Sequence, residues 1–67
     1  MNGSMLKSIM VLNGDTIRDL ANFLEISPQS VSKKINENQS EFKQGEIAKI
    51  KEKYKLTAEQ VEAIFFA

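Results

Sequence analysis

The chain has 67 residues, nine basic and nine acidic side chains, and neither cysteine nor histidine. That length holds one domain. The composition excludes a disulfide framework and makes a metal site implausible. No apolar run reaches the roughly 18 residues of a membrane span, and the N-terminus has no secretion-signal pattern, so we expect a soluble, cytoplasmic protein without a metal or other cofactor. Binders of nucleic acid usually carry a basic excess. Because the net charge here is zero, any such role must come from a local face.

Residues 1–4 read as a tag or a disordered N-terminus and residues 5–67 as the domain. Turn and cap signals divide that domain into five short helices. The first is expected from about Met5 to Leu12, with Leu6, Ile9 and Met10 at helical spacing and Gly14 in a left-handed stop. The second is expected over Ile17 to Leu24. Asp15 or Thr16 caps it, Asp19 complements its dipole, and Ile17, Leu20, Ala21 and Leu24 form its apolar stripe, with Phe23 on the flank.

The third starts at Ser27, a natural cap, with Pro28 in the first helical position where its missing N–H costs nothing. It runs to about Asn36, with Asn38 as terminator and Val31 and Ile35 as its apolar anchors. The fourth is expected from about Gln44 to Lys53, with Ile47, Ala48 and Ile50 inward and Tyr54 and Leu56 at its close. Thr57 and Gln60 form a capping box that opens the fifth, followed by Val61, Ile64 and Phe65. No segment shows sustained strand alternation. The expected fold is all-α: a compact bundle of about five short helices containing a helix-turn-helix.

The stretch from Thr16 to Ile35 carries the functional reading. Two short helices flank a turn at Glu25-Ile26-Ser27. The small Ala21 permits a close crossing, Ile26 plugs the turn, and Val31 packs back on the first helix. Such a unit holds its second helix proud of the surface, where a major groove can receive it. With Val31 and Ile35 inward, Gln29 and Lys33 lie nearly opposite. Ser30, Asn36 and Glu37 stand beside them, with Ser32 and Lys34 on the flanks. From Pro28 to Asn36 there is no acid. Gln can pair with adenine, Lys can reach guanine acceptors, and Ser suits bases or phosphates. The pattern by itself leaves two readings open, a DNA reader and a mere packing unit.

The ordered set of Leu6 with Met10-Val11, Asp15-Thr16, Ser32-Lys33-Lys34-Ile35-Asn36, Ser40-Glu41-Phe42, Glu46-Ile47 with Ile50, and Leu56-Thr57 through Phe66 resembles the small Cro/repressor-type (XRE family) helix-turn-helix regulators of Gram-positive phages and mobile elements. The resemblance covers nearly the whole chain. It implies a lambda repressor-like DNA-binding domain that acts as a sequence-specific transcriptional regulator on a double-stranded operator. By position, it implies that Ser27 contacts phosphate, that Gln29, Ser30 and Lys33 reach base edges, and that Thr16 offers its N–H and hydroxyl to phosphate. The loop from Asn36 to Lys43 would track the backbone, chiefly through Asn38, Gln39, Ser40 and Lys43. Ser32 and Lys34 complete the expected contact set.

Four departures stand out. The Asn-Gly usual after the reading helix is replaced by Asn36-Glu37-Asn38, one residue longer. Glu25 occupies a turn position often filled by Gly. Lys34 stands where many members have an apolar residue, a role passed here to Ile35. Lys43 stands where Ser or Thr often caps the fourth helix.

The run Lys49, Lys51, Lys53 and Lys55, interleaved with Glu46 and Glu52, reads as a complement to the helix dipole in preference to a second phosphate patch. Phe42 reads as a core plug. The apolar end, Val61, Ile64, Phe65 and Phe66, is expected to build a homodimer contact, which implies a palindromic operator. So few cations on the reading helix imply a shallow salt dependence of binding. No catalytic constellation or phosphate loop is visible, so neither an enzyme nor a small-molecule site is expected. The competing class is a protein-interaction module on the same fold, antirepressor-like and without DNA binding.

Overall fold

The computed structural model describes residues 1–37 and 41–66, the side chain of Glu37 excepted. Five helices follow in order: α1 (Gly3–Leu12), α2 (Ile17–Leu24), α3 (Pro28–Ser32), α4 (Gln44–Tyr54) and α5 (Ala58–Val61). Helix α3 continues into a π-helical turn over Lys33–Glu37, and α5 into another over Glu62–Phe66. There is no strand among the described residues. The fold is a small all-α bundle.

Local chemistry sets most boundaries. Gly14 takes the left-handed conformation, at φ 73°, after α1. Thr16 and Asp19 form a full capping box at the start of α2. Ser27 accepts from the Ser30 N–H at 3.1 Å, and Pro28 fills the first turn of α3. Thr57 and Gln60 close the box that opens α5. Each device satisfies N–H groups that a helix start leaves unpaired.

Two boundaries differ from expectation. Helix α1 begins at Gly3, not Met5: the Asn2 side chain accepts from the Met5 N–H at 3.1 Å, and the Asn2 N–H donates to the Ile64 carbonyl at 2.6 Å. Residues 1–4 are therefore part of the folded unit, and Gly3 presses so closely on Ile35 that a Cβ there would collide with the Ile35 carbonyl oxygen. The expected Asn38 terminator lies outside the described residues. Before it, the chain leaves α3 through the π turn. Through that wider turn Ile35 stays in the core.

The core is drawn from the first four helices, the two π turns and the connections. Leu6 and Met10 of α1 meet Leu20, Ala21 and Leu24 of α2, Val31 and Ile35 of α3, Phe42, Ile50, Leu56 and Ile64. Ala21 is fully buried, as a close approach of α2 and α3 demands. Ile26 packs on the core from the turn, and Phe42 plugs it as expected. Ala48, expected inward, is exposed; α4 is anchored by Ile50 alone, with Ile47 half-buried.

Candidate nucleic-acid interface

The exposed side of α3 follows from its buried side. Val31 is fully buried and Ile35 nearly so. Four residues apart on a helix, they share a face. The opposite face then carries Gln29, Lys33 and Asn36, all exposed. Ser30 and Ser32 flank it, half-buried. The Ser27 hydroxyl donates to the Ser30 Oγ at 3.0 Å, which leaves the Ser30 hydroxyl proton free to point outward. The Asn36 amide donates to the Ser32 Oγ at 3.1 Å and keeps its carbonyl oxygen for another partner. Among the described side chains, the face therefore offers amide, hydroxyl and ammonium groups and no carboxylate.

Other members of the expected set sit differently. Thr16 is committed within its own helix: its N–H and its hydroxyl both donate to Asp19 Oδ2, at 2.8 and 3.0 Å. The Asp19 N–H donates back to the Thr16 Oγ at 3.2 Å. These bonds hold the Asp19 carboxyl below its ordinary value, so an anion stands where a phosphate was expected. The Thr-x-x-Asp spacing was visible in the sequence, although the usual box has Glu or Gln at its far end. Arg18, exposed on the first turn of α2, is a cation the expected set omitted.

Lys34 is turned inward. Its ammonium lies 3.5 Å from the Glu46 carboxylate and donates to the Glu41 carbonyl at 3.0 Å, so it is not free on the groove-facing side. Ile35 takes the inward apolar position, as expected, and Lys34 beside it reaches Glu46 of α4. Lys43 is exposed; it caps α4 without a side-chain bond, its N–H donating to Glu46 Oε1 at 2.8 Å. Asn38, Gln39 and Ser40 lie outside the described residues. No family model, curated protein or solved structure matches this chain.

The apolar end also divides. Ile64 is fully buried and cannot meet a second copy. Phe65 packs edge-on against Phe42, ring centres 5.9 Å apart, and Val61 is half-buried against the core. Only Phe66, 66% exposed, keeps an open apolar surface there. Helix α5 spends its inward face on the core because the domain is too small to leave Ile64 unused. A larger exposed apolar pair stands at the end of α1, where Val11 and Leu12 are 73% and 85% exposed.

A polar knot on another side of the bundle escaped the sequence reading. The Tyr54 hydroxyl donates to Asp15 Oδ2 at 2.7 Å across 39 residues, and Lys53 lies 3.3 Å from the same oxygen. The Lys53 ammonium also sits 4.8 Å from the centre of the Phe23 ring. Burial, then the hydrogen bond and charge of Asp15, push the Tyr54 hydroxyl well above its usual range. Lys53 thus reaches across to α2 and the loop before it rather than simply facing its own helix end.

Proposed function

We propose that this chain binds duplex DNA in a sequence-specific manner and acts as a transcriptional regulator, with α3 in the major groove. One observation carries the reading. The helix buries Val31 and Ile35 while exposing Gln29, Lys33 and Asn36, and the run from Pro28 to Asn36 holds no acid and no large exposed apolar group. Gln29 suits the N6/N7 edge of adenine and Lys33 the O6/N7 edge of guanine. Ser27 and Lys43, both exposed, flank that helix and suit phosphate. At the start of α2, Arg18 replaces Thr16 as the phosphate contact. Two copies with their α3 helices about 34 Å apart would read a palindrome.

Selection from a random duplex pool, followed by gel-shift titration, tests the reading. An enriched sequence is expected. Lys33→Ala should then cost about 1–3 kcal/mol and relax discrimination at one base pair. Failure to enrich any duplex sinks the proposal. Exposed Val11 and Leu12, with the neutral net charge, favour a second reading in which the fold is a protein-interaction module.

A further inference from the structure

Lys34 belongs to the helix proposed for the groove, yet its ammonium is spoken for on the other side. Three groups from the start of α4 converge on it: the Glu46 carboxylate at 3.5 Å, the Glu41 carbonyl at 3.0 Å and the Phe42 ring, whose centre is 5.7 Å away. The Lys34 and Glu46 side chains are only 11% and 14% exposed. An ammonium has three donors, and this site supplies two oxygen acceptors and the face of a π system. Glu46 is held in turn, because the same Oε1 accepts the Lys43 N–H. Phe42 is buried and braced by Phe65. The π turn of α3 is thereby tied to the first turn of α4.

Swinging Lys34 out to a phosphate would break these contacts and leave the Glu46 carboxylate largely desolvated without a counter-charge, the costly state of a shielded ion pair. The neighbouring Lys33 is exposed and makes no such contact among the described residues. We propose that Lys34 is a positioning residue: it clamps the last turn of α3 to α4, so that Lys33 and Asn36 hold their register toward the groove, and it makes no DNA contact itself. The proposal rests on the DNA-binding reading given above.

Two substitutions separate a clamp from a phosphate ligand by sign. Glu46→Gln keeps an acceptor for the Lys43 N–H and removes only the charge. If Lys34 were a DNA contact restrained by Glu46, this change would tighten binding, since it removes an acid and frees a cation. A clamp predicts the reverse. On the selected duplex, with folding checked by circular dichroism, Glu46→Gln and Lys34→Met should each weaken binding about tenfold, the worth of one displaced base contact. The salt slope should stay at the wild-type value, and Lys34→Arg should restore affinity.

Tighter binding by Glu46→Gln, or a slope shallower by about 0.9 per protomer in Lys34→Met, would make Lys34 a phosphate ligand and overturn the proposal. Unchanged affinity in both variants would overturn it as well. Urea unfolding of the two single variants and the double variant provides an arm that needs no DNA. The losses should be non-additive, and additive losses refute the clamp. If the wild-type chain enriches no duplex, the DNA reading and the positioning role fall together, while the unfolding cycle still reports whether the ion pair is coupled.

Discussion

Among the described residues, two occupy the left-handed region without being glycine, and they make a matched pair. Glu25 follows α2 at φ 60° and ψ 38°, and Lys55 follows α4 at φ 52° and ψ 49°. The backbone bonds are the same at both ends: Ile26 N–H to the Ala21 carbonyl at 3.1 Å, and Leu56 N–H to the Lys51 carbonyl at 2.9 Å. Both are Schellman closures, where glycine is the usual occupant. Both side chains are exposed, so the chief difference is charge.

Replacement by glycine relieves about 1 kcal/mol of left-handed strain at either position. It gives back roughly 0.5 kcal/mol through the freer unfolded chain. The helix C-terminus carries partial negative charge, so removing Glu25 should gain about 0.5 kcal/mol and removing Lys55 should lose about as much. Glu25→Gly should therefore stabilise by about 1 kcal/mol, and Lys55→Gly by close to nothing. In a domain this small, the first change corresponds to a melting-temperature rise of about 4–8 °C.

Urea unfolding at low and high salt is the assay, with the gap between the variants narrowing as salt screens the dipole contribution. Equal gains at low salt would refute the dipole argument. Destabilisation by both would refute the strain argument.

Further outcomes follow from other contacts. Gly3→Ala should destabilise by about 1 kcal/mol or more in urea unfolding, although alanine is the better helix former, because its Cβ would meet the Ile35 carbonyl oxygen and lie 3.0 Å from the Ile35 Cγ2; a gain would discredit the α1–α3 contact. Tyr54→Phe should cost about 1 kcal/mol at neutral pH by removing the bond to Asp15. Since the folded state raises the Tyr54 pKa above its ordinary 10.0, that group's contribution is whole below pH 10 and fades as pH climbs through the folded value. The wild type should lose stability in alkali more steeply than the variant. Asp19 behaves oppositely: the Thr16 bonds lower its pKa below 3.8, so its contribution is present above that pH and is lost as acid protonates the folded carboxyl. Acid unfolding of Asp19→Asn should lack that loss, and parallel acid curves would argue against the capping box.

Several helix boundaries were legible in the residues because their cause lay within one turn. Ser27-Pro28, Thr57 with Gln60 and Gly14 act on N–H groups or dihedrals no more than a few positions away, so their spacing alone announces them. The inward stripe of α2 and the burial of Val31 and Ile35 were equally readable, since helical periodicity selects the faces. The exposure of Gln29 and Lys33 followed by exclusion.

Tertiary packing decided everything that joins distant segments. No local rule brings Tyr54 to Asp15, folds Asn2 and Gly3 against Ile64 and Ile35, or sends Lys34 to Glu46 instead of outward. A cap is settled by bonds to its own backbone. A long side chain with several rotamers goes where another helix places an acceptor, and only the assembled bundle specifies where that is.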